Sequence, residues 1–466
     1  MRSRIDWKYL LGLELNDPGF DYSLLSEFRA RLIAGRAELQ LLDSLLQRVE
    51  ALGLLKRRGR QRTDSTHVLA AVRTLNRLER VGETLRAALN ALAVVAHEWL
   101  RAQAPSAWYD RYGQRVENFS LPKSEAARRS LAASIGADGQ ALLDAIDTSE
   151  LAWLQQVPAV QILRQVWAQQ YIGDAGELRW REVKEMPPPA DIIASPYDPE
   201  ARYSTKRELE WVGYKVHLTE ACDPEAPHLL TNVETTPATT PDDNMLAVVH
   251  ASLAAWDRLP AEHLVDKGYT DAHVLVDSQR EYGVTIIGPV AEDPSWQAQA
   301  GAGFAKADFL IDWQTQTATC PTGKPSLSWL VNPDVTKPTT VVVRFSRRHC
   351  SPCPVRPQCT RRQLEPRELV LQPRVEHEAL RTARRHQQTQ AFRAQYAARA
   401  GIESTHAQAV RRSGLRQARY MGLARTHLQH IATAAAINVI RLGEWWAGTP
   451  PDRTRHSPFA TLRPAA

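Results

Sequence analysis

The chain lacks any apolar run approaching the roughly 20 residues that a membrane-spanning helix needs. Its opening, MRSRIDWKYL, has no apolar stretch behind the basic residues, so nothing in it suggests secretion, and a cytoplasmic setting is expected. Cysteine is scarce: there are 5 in 466 residues, and all but Cys222 lie between Cys320 and Cys359. Clustered thiols in a reducing compartment point to metal rather than to disulfides. What remains is ordinary for a globular protein, 43% hydrophobic and 24% charged, long enough for two or three domains or for one core with large insertions.

The net charge of +6 is modest but unevenly spread. Arg374 to Arg425 holds 11 Arg against three acids, two of them (Glu376 and Glu378) at its start. A second basic cluster, Lys56, Arg57, Arg58, Arg60 and Arg62, precedes Asp64. Both flank an isolated acid, which favours a polyanionic substrate over a merely solvated basic face.

Residues 1 to 58 read as helices broken by the Asp17-Pro18-Gly19 turn. RQRTDSTHVLA, with β-branched Thr63, Thr66 and Val68 around Asp64, reads as a strand over 59 to 68. From 69 to 186 the spacing of Leu75, Leu78, Val81, Leu85, Leu89 and Leu92 predicts a helical insertion with a core-facing stripe. Pro187 to Pro189 open a loop reaching Glu208, and a strand-rich block then runs to 295. Within it, AEHLVDKGYTDAHVLVDSQREYGVTIIGPV reads as strand, turn, helix, strand. That puts Asp266 at the carboxyl end of a buried strand, where open α/β sheets keep their ligand sites. Residues 296 to 370 read as a small cysteine-rich insertion, 371 to 446 as helices, and 447 to 466 as a disordered Pro-rich tail.

Tyr396, Arg399 and Glu403 are three and four residues apart in a stretch free of Pro, so a helix would place all three on one face. Alone, such an Arg and Glu make a surface pair. With Asp64 and Asp266 they suggest three acids gathered around two divalent metal ions, Mg²⁺ being the hard cation that carboxylates suit, for in-line cutting of a phosphodiester. Arg399 would grip a phosphate, and Tyr396 would bond the same backbone or stack on a base. Asp198, in SPYDPEA, is the rival for the first acid, but it lies between two prolines.

TDST at 63 to 66, VDKGY at 265 to 269 and the Tyr396, Arg399, Glu403 spacing, in that order, resemble bacterial insertion-sequence transposases of the DDE class. DYSLLSEFRARL, SPYDPEARYSTKRE and WVGYKVHLTEACD extend the resemblance over nearly the whole chain. It implies an α/β fold, a ribonuclease-H-like mixed sheet flanked by helices, and Asp64, Asp266 and Glu403 as ligands of two Mg²⁺ ions, for which Mn²⁺ can substitute. It also implies that Tyr396 and Arg399 contact transposon-end DNA, that a dimer or larger assembly holds the ends, and that the protein works at the nucleoid. The reaction implied is nicking at the element end, then attack of the freed 3′-hydroxyl on target DNA. The family's Lys seven residues past the Glu is here Val410, so Arg411 and Arg412 are the expected basic contacts. Similar transposases generally carry further helices before WKYLLGL, so an amino-terminally short version is expected. Rival readings are a stand-alone nuclease and a non-catalytic DNA-binding derivative.

Cys350 and Cys353 have the spacing of one metal knuckle, and Cys320-Pro-Thr-Gly resembles another. With Cys359 as fourth ligand, and His349 as a substitute, a structural Zn²⁺ would fix a segment with little core of its own. Arg344, Arg347, Arg348, Arg356, Arg361 and Arg362 nearby suggest contact with DNA.

Overall fold

The protein is described here from a computed structural model covering residues 4–174, 177–333 and 339–449. The expected tail beyond 449 lies outside the described residues.

The expected strand around Asp64 forms as β1 (Arg60–Leu69) and sits inside a mixed sheet. After it come the hairpin strands β2 (Tyr171–Asp174) and β3 (Glu177–Trp180), then β4 (Arg202–Lys206), β5 (Leu209–Ala221), β6 (Leu230–Pro237), β7 (Glu262–Val265) and β8 (Thr285–Ile287). The main sheet has 6 strands, in the path β4-β5-β1-β7-β8 with β6 also on β5. β5 runs antiparallel to β1, β4 and β6, whereas β7 is parallel to β1 and β8 to β7. β1, β6, β7 and β8 therefore share one direction and β5 opposes them.

One face of the sheet buries Val68, Tyr214, Val216 and Val233 against Leu46 of the helix Gln40–Ala51, Ile402 of the helix Gly401–Ser413, and Ile431 and Ile437 of the helix Leu423–Trp446. Asn438 fixes the register of the last helix on β6, accepting from the Leu230 N–H at 2.8 Å and donating to the Leu230 carbonyl at 2.8 Å. The helical insertion makes a second core from Leu85, Leu92, Leu142 and Leu163, as its apolar stripe predicts. Its first long helix, Arg77–Val95, starts at a capping box in which Asn76 and Glu79 satisfy each other's end of the turn.

Two stretches differ from the sequence reading. The insertion ends in the β2–β3 hairpin rather than a helix, because Tyr171 and Trp180 pair across the strands with ring centroids 5.1 Å apart while Arg77 lies 3.9 Å over the Trp180 ring. The expected loop up to Glu208 contains β4, a short edge strand that exists because β5 is long enough to hold it. In both cases the partner is the next strand along the chain, two residues on, so these are local pairings that the sequence reading missed.

The cysteine-bearing segment builds a hairpin of β9 (Leu310–Asp312) and β10 (Thr317–Thr319) and a three-stranded sheet of β11 (Ser326–Asn332), β12 (Thr340–Phe345) and β13 (Glu368–Leu371). Phe309, Val343, Phe345 and Leu369 form its own small core.

Glu220, on β5 and completely buried, joins three parts of the main domain. It takes a 2.7 Å ion pair from Arg62 of β1 and another of 2.7 Å from Arg441 of the last helix. Thr405, in the helix that carries Glu403, donates to it at 2.6 Å. Burial alone would raise this carboxyl, but Arg441 and Arg62 hold it below its ordinary value. Replacing Glu220 by Ala strands two guanidiniums, and loss of one partner from a buried ion network costs about 3–5 kcal/mol. Thermal or urea unfolding of Glu220→Ala should show a loss of that order; an unchanged midpoint would remove Glu220 from the framework.

Candidate active site

The register of β1 and β7 brings the two aspartates together. Thr63 is level with Val265 on the last paired rung, so Asp64 on β1 and Asp266, the first residue past β7, follow in step, and both carboxylates reach Arg399. The alternate residue, Thr63, faces the other way and bonds Thr219 and His263 at 2.7 Å each. Asp64 is only 13% exposed and accepts from the Ser65 N–H at 2.8 Å. Asp266 also caps the short turn after β7, accepting from the Gly268 N–H at 2.9 Å.

Tyr396, Arg399 and Glu403 do not share one continuous helix. Tyr396 ends the helix Gln390–Tyr396, Arg399 lies in the 3-10 turn Ala397–Ala400, and Glu403 is in the first turn of Gly401–Ser413. This turn is tied to β1. Arg60 donates to the Gln395 carbonyl at 3.1 Å and Arg62 donates to the Ala398 carbonyl. A side chain at Gly401 would collide with the Arg62 guanidinium, which explains glycine there.

The three acids converge on one cation. Arg399 reaches Asp64 at 2.7 Å, Glu403 at 3.0 Å and Asp266 at 3.9 Å. Its side chain is 14% exposed, whereas that of Glu403 is 68% exposed. Burial pushes the Asp64 carboxyl up to about 6; Arg399 opposes the shift and Asp266 adds to it. Burial also raises the Tyr396 phenol, whose ring stacks on Phe392 with centroids 5.4 Å apart.

Asp198, the rival first acid, is fully buried, accepts from the Tyr214 hydroxyl at 2.5 Å and is not among the acids that Arg399 pairs with. Sequence reasoning missed Asp242. Its carboxylate pairs with Lys215 at 3.0 Å and accepts from the Ser65 hydroxyl at 3.2 Å, beside Asp64. It also lies with Asp266 around Gly268. The Asp242-Asp243 pair just beyond the carboxyl end of β6 was the available signal. Also missed was His406, one turn past Glu403, 6% exposed and with neither ring nitrogen hydrogen-bonded; burial pushes it down to about 4.

The basic cluster ahead of Asp64 is divided: Arg60 and Arg62 are held within the fold, whereas Lys56, Arg57 and Arg58 are exposed. Arg57 pairs with Asp257, Arg58 donates to the Tyr282 and Gly283 carbonyls, Arg60 pairs with Glu262 at 3.0 Å, and Arg62 is buried on Glu220. Arg411 and Arg412 are exposed in the last turn of the Glu403 helix, Arg412 lying 3.9 Å from Glu444.

Cys320, Cys350, Cys353 and Cys359 line one cavity of about 30 Å³ together with His349. Cys320 sulfur accepts from the Lys324 N–H at 3.3 Å in a turn made possible by Gly323 at φ +79°. Burial opposes, but bonds from Thr322 and Lys324 outweigh it and hold this thiol below its ordinary value. Burial raises Cys359, and the other three cysteines add to that. Several neighbouring arginines are engaged within the segment, Arg344 on Glu368 at 2.8 Å and Arg361 over Trp296 at 4.4 Å.

Among the described residues no three of His, Cys, Asp and Glu are arranged to hold a metal ion. At the acids the reason is visible, since the Arg399 guanidinium lies between them. The donor set itself, three carboxylates meeting one guanidinium with Asp64 already pushed up, is short of positive charge and suits hard divalent cations.

Fold and site together define a mixed α/β protein with a strand-borne carboxylate centre. Residues 319–443 match the family described as transposase DDE domain, a stretch that includes the four clustered cysteines, Tyr396, Arg399 and Glu403 and excludes Asp64 and Asp266. The match covers about a quarter of the chain and marks that stretch as similar to the DDE domain of transposases. Comparison with curated proteins and with solved structures gave no match. Among the described residues no helix is long and apolar enough to cross a membrane.

A carboxyl raised by folding stabilises the protein fully below its ordinary value near 4 and loses that contribution as pH rises through about 6. Metal-free protein should therefore lose stability relative to Asp64→Asn as pH climbs from 4 to 7. Parallel unfolding curves for the two across that window would show that Asp64 is not strained by burial.

Proposed function

We propose that the protein is a DDE transposase that nicks DNA at the ends of its element and joins the freed 3′-hydroxyl to target DNA. The observation that carries this is the meeting of Asp64, Asp266 and Glu403 on one guanidinium, although they come from two strands and a helix far apart in the chain. The strand order β6-β5-β1-β7-β8, with β5 alone reversed, supports reading the core as ribonuclease-H-like.

In this reading Asp64, Asp266 and Glu403 hold two Mg²⁺ ions, with Mn²⁺ able to substitute and Asp242 beside them in reserve. Bound there, the cations supply charge to the attacking and leaving oxygens of the phosphodiester. The chain's own contributions are positional. Asp64 and Asp266 are rigid because the β1–β7 register sets them, and Glu403 reaches in from a helix anchored on Glu220 through Thr405. Tyr396, braced by Phe392, presents its phenol to the sugar-phosphate backbone. Arg411 and Arg412 hold DNA further along the same helix. Both element ends must be held together for joining, so the working form is at least a dimer.

The cysteine segment, in the same reading, is closed by structural Zn²⁺ on Cys320, Cys350, Cys353 and Cys359. Supporting this are their shared cavity and the N–H held toward the Cys320 sulfur. Elemental analysis of protein purified without added metal should find one zinc per chain, and Cys353→Ser should lose it and lower the unfolding temperature. Zinc-free protein of unchanged stability would rule the site out.

The activity is tested by incubating the full chain with Mg²⁺, a pre-cut duplex bearing the repeat that flanks its gene, and a target plasmid. Joined product is expected, and Glu403→Gln should reduce it by at least about 100-fold, the scale of losing a group that acts in the transition state. Nicks without joints would make the protein a nuclease, and binding with neither would make it a DNA-binding derivative.

A further inference from the structure

The cation between the acids has a consequence beyond catalysis. Among the described residues Arg399 is the one ion-pair partner of Asp64, of Asp266 and of Glu403. We propose that Arg399 is an internal countercation that competes with divalent metal for the three carboxylates and leaves them for a DNA phosphate, so that metal and DNA each raise the other's affinity. The inference rests on the acids being the DNA-cutting site and adds how that site is kept idle.

Three features support it. The first is charge. Three ionised carboxylates against one guanidinium leave the pocket negative and able to attract metal, but two divalent ions would make it positive around Arg399. Like charges close together in a partly buried site repel strongly, so the guanidinium and a full metal complement disfavour each other. Lys206, whose charge also reaches Asp64, adds to this repulsion.

The second feature is that the backbone is fixed and the side chain alone need move. Arg60 holds the Gln395 carbonyl just before the turn and Arg62 holds the Ala398 carbonyl inside it, one residue ahead of Arg399, which ties down the backbone there. Its Nε is buried without a hydrogen-bond partner. A guanidinium that satisfies only its terminal nitrogens has donors to gain elsewhere, and a phosphate accepts two of them side by side.

The third feature is the exposure of Glu403, 68% against 14% for Arg399. The pair opens on the side where a duplex can approach. A phosphate arriving there offers Arg399 a new partner while the vacated carboxylates turn to metal. Because the coupling is thermodynamic it is reciprocal. In the absence of DNA the guanidinium offsets part of the acids' charge and occupies their oxygens, which limits metal loading and stray hydrolysis.

The test is binding, with no need for turnover. Free Mn²⁺ is titrated into full-length protein and followed by electron paramagnetic resonance, alone, with a short duplex of unrelated sequence, and with the same duplex carrying an uncharged methylphosphonate backbone. Wild type should bind Mn²⁺ about ten-fold more tightly with the charged duplex, within the usual range of coupling between sites, and not with the neutral one. Arg399→Gln should bind Mn²⁺ more tightly than wild type without DNA and show no further gain with it. Arg399→Lys, which keeps a cation and guards against a folding defect in the first variant, should fall between. Equal Mn²⁺ affinity for wild type and both variants without DNA, or an undiminished gain from DNA in Arg399→Gln, overturns the proposal and leaves the transposase reading standing. If wild type and Asp64→Asn both fail to bind Mn²⁺ under every condition, the acid site itself falls, and this inference with it.

Discussion

The arrangement depends on a buried carboxylate that folding had to neutralise. Glu220 has no access to water, and a charge in that position is tolerated only because two guanidiniums and a hydroxyl meet it. Each partner belongs to a different element: Arg62 to β1, Thr405 to the Glu403 helix and Arg441 to the last helix. Meeting Glu220 therefore places the strand of the first acid beside the helix of the third. The same Arg62 turns another of its nitrogens to the Ala398 carbonyl, which helps set the turn that carries Arg399. Structural electrostatics and site geometry are one network.

The acid site has the opposite character. Asp64 is buried with its carboxyl pushed upward, Asp266 repels it from the neighbouring strand, and a single arginine offsets three negative charges. A protein selected only for stability would not gather acids this way. Glu220 is over-satisfied and Asp64 under-satisfied within the same sheet, and that contrast separates framework from chemistry more sharply than burial does. Asp242 differs from Asp64 in having Lys215 as its own ion-pair partner at 3.0 Å.

Several elements were legible because their signal is local. β-branched residues around Asp64 marked β1, apolar spacing marked the helices of the insertion, and LVDKGY marked the end of a buried strand. Position was not legible where it depended on a distant partner. The arginines ahead of Asp64 look like a DNA-facing patch in sequence, but Arg62 finds Glu220 and Arg60 finds Glu262, both more than 150 residues away. Tyr396, Arg399 and Glu403 keep helical spacing in sequence, but the structure divides them among a helix end, a 3-10 turn and a new helix.

From the chain alone came the chemical inventory: three isolated acids in ordered motifs, an arginine one turn before the last of them, four clustered thiols, and strands and helices whose periodicity is written in neighbouring residues. Tertiary structure decided which charges face each other. It placed Arg399 between the acids, consumed part of the basic cluster in the framework, added Asp242, and put β1 inside the sheet. The physical reason is that propensity acts over a few residues, whereas a charge pair or a strand register is settled by whatever the fold brings within a few ångströms.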